Sequence, residues 1–186
     1  MLTGRHSPEL RPDVYIQGAT DSLPLELLPM KYTALIDQYA AGPKLLRERT
    51  AGMTREQVLA RPVAGKWSTL EVVCHLADFE IVYADRLKRV IAENEPTMFG
   101  GDPDAFAAKL AYQDRDLAEE LAMIESIRAS TTRILRKLSD TDFARVGKHS
   151  EAGPLSLATL LERVAGHLPH HAKFIEEKRA ALGTKP

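Results

Sequence analysis

Apolar residues recur along this chain at three- and four-residue intervals, the spacing that lines one face of an α-helix. Tyr32, Leu35, Ile36, Tyr39 and Leu46 form the first such stripe and predict a helix from about Pro29 to Ala51. Gly42-Pro43 falls inside it and is expected to kink or split it, and Gly52 suits a C-cap. Thr54-Arg55-Glu56-Gln57 has the form of a capping box, opening a short helix that ends near Arg61-Pro62. Ser68-Thr69-Leu70-Glu71 is a second box and opens a long helix to about Asn94. A loop with Gly100-Gly101 follows, then a helix from about Pro103, broken before the regular run Leu117, Leu121, Ile124, Thr131, Leu135, Leu138. Ser139 to Pro154 reads as a connection with room for a helical turn, and the last helix runs from about Leu155 to Leu182, with Gly183 just beyond.

Strand signals are almost absent, since no stretch alternates over several residues with β-branched enrichment. Four long amphipathic helices in one domain predict an all-α four-helix bundle. Its connections exceed the usual short bundle loops, which predicts a crossover. Residues 1–29 carry Pro8, Pro12, Pro24 and Pro29 and are expected to form an extended arm. Residues 30–186 are expected to form the single bundle domain.

Composition narrows the partners. The net charge is −1 and the basic residues are scattered, so nothing favours nucleic acid or an anionic membrane. The single cysteine, Cys74, excludes an internal disulfide and a cysteine-rich zinc site. It reads as a small buried apolar residue, compatible with a reducing compartment. No apolar run reaches membrane-spanning length, and the N-terminus lacks a signal-peptide core, so the expected location is cytoplasmic.

The candidate chemistry lies in the histidines. At 100° per residue, Val72, Phe79 and Val82 lie within about 60° of His75, which therefore points into the apolar face of its helix. In the last helix Leu160, Val164 and Phe174 share the direction of His167, and His171, four residues on, lies about 40° away. Inward imidazoles are costly to bury unless their nitrogens have partners. One such histidine is more often a hydrogen-bonded core residue, but two on one helix and a third on another weaken that account. Three imidazoles with open positions make a site suited to catalysis rather than a closed structural one. Asp78 and Glu71 flank His75 and are candidates to hold its other N–H, or to act as base. His170, about 60° to the side of His167, ranks behind His171 as a ligand. His149 and His6 are expected to be solvated, and Trp67 is expected to staple the helix entry or line a pocket. Pro169, between the paired histidines, is expected to bend the last helix and leave the Ala165 carbonyl without its partner.

The segment Gly65-Lys66-Trp67-Ser68-Thr69-Leu70-Glu71-Val72-Val73-Cys74-His75-Leu76-Ala77-Asp78 resembles the second-helix motif of the DinB/YfiT-like superfamily. That motif is a Trp-Ser helix start with a histidine seven residues after the Ser, followed by Leu-Ala. Gly166-His167-Leu168-Pro169-His170-His171 resembles the family's last-helix His-x-x-x-His pair, with His170 extra. The resemblance covers roughly Tyr32 to Leu182 and implies a four-helix bundle with a crossover, often a homodimer. It implies a divalent nickel or zinc ion on His75, His167 and His171. It also implies small-molecule chemistry: some relatives are S-transferases using low-molecular-weight thiols such as bacillithiol, others thiol-dependent isomerases or hydrolases. Two functional readings follow. One is a metal-dependent transferase or hydrolase; the other is a non-catalytic bundle binding metal or a small ligand in a stress response.

Overall fold

A computed structural model describes residues 31–184. The expected arm over residues 1–29, with His6, lies outside them. Six α-helices make up most of the chain: α1 (Thr33–Thr50), α2 (Arg55–Leu59), α3 (Thr69–Ala92), α4 (Pro103–Lys109), α5 (Leu117–Leu135) and α6 (Leu157–Ala181). Both sequence-read capping boxes form. Thr54 accepts from the Gln57 backbone N–H while Gln57 reaches back to the Thr54 N–H, and Ser68 and Glu71 do the same at the head of α3. Asp102 and Asp116 cap α4 and α5 by accepting two backbone N–H groups each. Pro43 does not split α1, and α6 likewise runs unbroken through Pro169.

The helical core has two layers. Ile36, Tyr39, Leu87, Val90, Leu135 and Leu160 belong to one, and Leu46, Val73, Leu76, Ile124, Leu168 and Ile175 to the other. Along the chain α1 and α6 pass from the first layer to the second, whereas α3 and α5 pass from the second to the first. Helix α1 packs on α5 and α6, and α3 packs on the same two. Sequence neighbours α1 and α3 therefore sit diagonally, and so do α5 and α6. Helices α3 and α5 lie side by side and run the same way, so residues 93–116 must return the length of the bundle. This is the crossover, and it explains why the connections exceed ordinary bundle loops.

The near-absence of strand signals missed a small three-stranded sheet. Strand β1 (Thr97–Met98) pairs in parallel with β2 (Val146–His149), and β2 pairs antiparallel with β3 (Gly153–Ser156). Thr97 faces Lys148 and Gly147 faces Leu155 in these ladders. The strands are two to four residues long, so tertiary placement rather than local preference fixes them. Gly147 shows how: a Cβ there would lie 2.8 Å from Val90 Cγ2 and 2.9 Å from Met98 Cε. Only a bare backbone passes between α3 and β1 at that point. A 3-10 turn over Asp140–Ala144 supplies the helical turn expected between α5 and α6.

Between the two layers a polar node joins all four long helices. Arg128 of α5 donates from Nε to Glu80 Oε2 of α3 at 2.9 Å. Its Nη1 donates to the Tyr39 carbonyl of α1 at 2.7 Å, and its Nη2 to the Val164 carbonyl of α6 at 2.8 Å. Tyr39 completes the set by donating its hydroxyl to Glu80 Oε1 at 2.7 Å. All of these side chains are buried.

Candidate metal centre

The first two turns of α3 carry His75 into the core, and the middle of α6 carries His167 and His171 toward it. One ring nitrogen from each histidine lies within 4.8 Å of the others. The His75 and His167 Nε2 atoms are 3.2 Å apart. Two imidazole nitrogens about 2.05 Å from a common tetrahedral ion would be about 3.3 Å apart, so this pair already has the separation of two ligands. Burial pushes the imidazoles of His75 and His171 down to about 4, and that of His167 down to about 3. Asp78 and Asp104 oppose the shift at His75, while the neighbouring histidines add to it at His167 and His171. All three rings are therefore neutral at pH 7, the protonation state that can donate a lone pair to a cation.

The pocket around these rings is aromatic. Trp67 and Phe79 have ring centroids 5.2 and 4.6 Å from that of His75, and Tyr83 lies 5.8 Å from His167. Trp67 both precedes the α3 cap and lines a cavity of about 270 Å³ shared with His171, Phe174 and Lys178. Buried neutral imidazoles would ordinarily have both nitrogens paired. Here the Nδ1 atoms of His75, His167 and His171 are buried with no protein partner. The donor set, its neutrality and its spacing all fit a divalent ion on one nitrogen of each ring.

Several expectations need correction. Neither Glu71 nor Asp78 bonds a histidine. Glu71 is occupied by Arg61 and by the Ser68 N–H of its own capping box, which hold its carboxyl down at about 2. Asp78 is held by Arg115 at 2.9 Å, in a cluster that Arg115 extends to Glu120. His149 is not a free loop residue. It is half-buried in β2, and its Nδ1 accepts from the Glu151 and Ala152 backbone N–H groups at 3.2 Å.

The remaining assignments fit. Cys74 is buried with its thiol pushed up to about 12 by burial, which makes it a core residue and not a ligand. His170 is exposed, its ring set edge-on to His171 and Phe174 and outside the cluster of three.

Sequence reasoning missed three groups. Arg128 and Glu80 occupy core-facing positions of their helices, Arg128 four residues after Ile124 and Glu80 four after Leu76, so a charge interrupting an apolar stripe was the available signal. Asp104, in the first turn of α4, lines the cavity beside His171 and acts on His75. Its position depends on the path of the crossover, which no local pattern reveals. Lys178, buried in the last turn of α6, lines the same cavity.

Comparison with known proteins places this architecture. Residues 38–175 match the DinB superfamily. The chain belongs to that superfamily. A relative from Oceanobacillus iheyensis, named "Putative metal-dependent hydrolase", is 31% identical over 133 residues, covering 72% of this chain and 77% of the relative. YfiT of Bacillus subtilis carries the same name and is 27% identical over 142 residues, covering 76% of this chain and 80% of its own. The solved structure of YfiT is described as "a probable metal-dependent hydrolase with an unusual four-helix bundle topology". It superposes with a TM-score of 0.77 at 25% identity, over 82% of this chain and 87% of that one. Among the described residues, no helix is long and apolar enough to cross a membrane.

Proposed function

We propose that this chain is a metal-dependent enzyme of the hydrolase or thiol-transferase type, with His75, His167 and His171 as the protein ligands of one divalent ion, nickel or zinc. The observation that carries the reading is the convergence of three neutral imidazoles from two helices, His75 buried and the other two half-buried, with two of them already 3.2 Å apart. The relatives named as metal-dependent hydrolases support it. A divalent ion held by three neutral ligands keeps its full charge and would act there as a Lewis acid, able to acidify a water or a thiol near pH 7.

The residues around the ion set what the site can take. Trp67, Phe79 and Phe174 give it apolar walls. The cavity beside His171 is sized for a small molecule, such as a low-molecular-weight thiol. With Glu71 and Asp78 tied to arginines, Asp104 is the cavity-lining carboxylate near His75 that has no ion pair among the described residues, and it is placed to accept a proton. The proposed assembly is a homodimer, readable by sedimentation.

Elemental analysis of the purified protein tests the metal claim, with about one divalent ion per chain expected. His75→Ala, His167→Ala and His171→Ala should each lose it. Parent-like metal content in all three variants would overturn the ligand assignment. Metal-dependent turnover in a panel of esters, thiols and electrophiles tests the enzyme claim. A second reading, a non-catalytic binding bundle, is favoured by the engagement of Glu71 and Asp78 with arginines, and a loaded protein inert across that panel would select it.

A further inference from the structure

Lys178 is a buried cation at the edge of the candidate site. Its side chain is 2% exposed, yet it lines the cavity that ends at His171. Arg61, Arg115 and Arg128 each hold a carboxylate. Among the described residues, no carboxylate lies within ion-pair distance of Lys178. Its ammonium donates to the Phe174 carbonyl at 3.1 Å. An ammonium has three N–H donors, so one carbonyl leaves two of them open to a further partner. Burying a cation without a counter-charge is costly, so a buried charge is ordinarily paired or given up.

The rest of the cavity agrees. Lys66, Asp104 and Glu177 are exposed around it, so fixed charge of both signs is already present there. Glu177 and Glu71 act on Lys178 from longer range, and burial still pulls its proton affinity down. Trp67 and Phe174 form apolar surface of the cavity, and the Lys178 ammonium sits 5.9 Å from the Phe174 ring centroid. The space thus offers a ligand nitrogen (His171), an apolar middle and an under-partnered cation.

We propose that Lys178 is the anion-binding residue of this cavity and that the substrate is a small molecule bearing a carboxylate, joined by an apolar segment to the group that reaches His171. This rests on the proposed metal site only for the fate of the reacting end; the anion subsite is defined by Lys178, Trp67 and Phe174. A cavity of about 270 Å³ suits a substrate of modest size.

A charge series tests it without turnover. The probes are 4-phenylbutyrate, its neutral amide and 4-phenylbutylamine, titrated calorimetrically into the full chain as purified. Trp67, the only tryptophan, reports local binding by fluorescence. The carboxylate should bind at least about tenfold more tightly than the amide or the amine, the scale of one charge-assisted hydrogen bond. Lys178→Met, which keeps the apolar stem, should erase that preference, and Lys178→Arg should retain it. Metal content in both variants should equal that of the parent, because neither touches a histidine ligand. Equal binding of carboxylate and amide by the parent, or no carboxylate binding at millimolar concentration, overturns the proposal even if a variant fails to fold. So does a Lys178→Met protein that keeps the preference. A carboxylate preference in a protein that never retains metal would uphold the subsite and sink the metal reading, so the two fail separately.

Discussion

Three side chains 92 and 96 residues apart in sequence meet because two helices hold them at matching depths. Their directions were legible from the 100° step of the helix, which separated His171 from the exposed His170. The charged groups around them were not, because each carboxylate near a histidine has a choice of partners that only the fold decides. Glu71 went to its own capping box and to Arg61, and Asp78 to Arg115. Asp104 is the carboxylate proposed to move a proton at this site. Asp104→Asn should therefore keep the metal content of the parent and lower turnover by roughly 100-fold, the lower end of what a positioned acid–base group supplies. Parallel metal analysis and steady-state kinetics separate this from a structural defect: loss of metal in the variant would count against the assignment.

At the scale of elements, the Arg128 node explains how proline is tolerated inside α1. Pro43 has no N–H, so the carbonyl one turn earlier, that of Tyr39, loses its helical donor. Arg128 Nη1 supplies the missing hydrogen bond at 2.7 Å. Gly42 makes room for it, since a Cβ at that position would collide with Nη1. The stripe of α1 therefore read correctly as a helix, and of the kink or split expected at Gly42-Pro43 the split does not occur, because a residue 89 positions from Tyr39 repairs the ladder. The same limit hid the β-strands, whose pairing comes from loops brought together by the crossover and from the bare backbone of Gly147. Arg128→Met should destabilise the protein by about 3–5 kcal/mol, because Glu80 is left as a buried charge without its cation. The double variant Glu80→Leu/Arg128→Met should recover part of that loss. Urea unfolding of the two proteins checks the order, and equal midpoints would mean that the buried charge is not what costs the single variant its stability.

Across the whole molecule these sites tie folding to acidity. The three imidazoles titrate near 6.5 when unfolded but near 4, 3 and 4 in the folded chain. Between those limits the unfolded state binds more protons than the folded one, so stability rises with pH through that window. The contribution is complete above pH 6.5 and is lost as pH falls from 6.5 toward 3–4. With up to three protons taken up on unfolding, the slope near pH 5 is at most about 4 kcal/mol per pH unit. Glu71 adds its own loss lower down, between its ordinary 4.5 and its folded value of about 2. Because the histidines sit on α3 and α6 and the Arg128 node ties both helices to α1 and α5, protonating the site should weaken the bundle as a unit. In chelator, the melting temperature should fall steeply from pH 7 to pH 5. In the triple variant His75→Gln/His167→Gln/His171→Gln it should stay nearly flat over that range. Added divalent ion should raise the parent melting temperature more at pH 7 than at pH 5, since protons and ion compete for the same nitrogens. A triple variant that loses stability over this range as steeply as the parent would place the acid sensitivity elsewhere in the bundle.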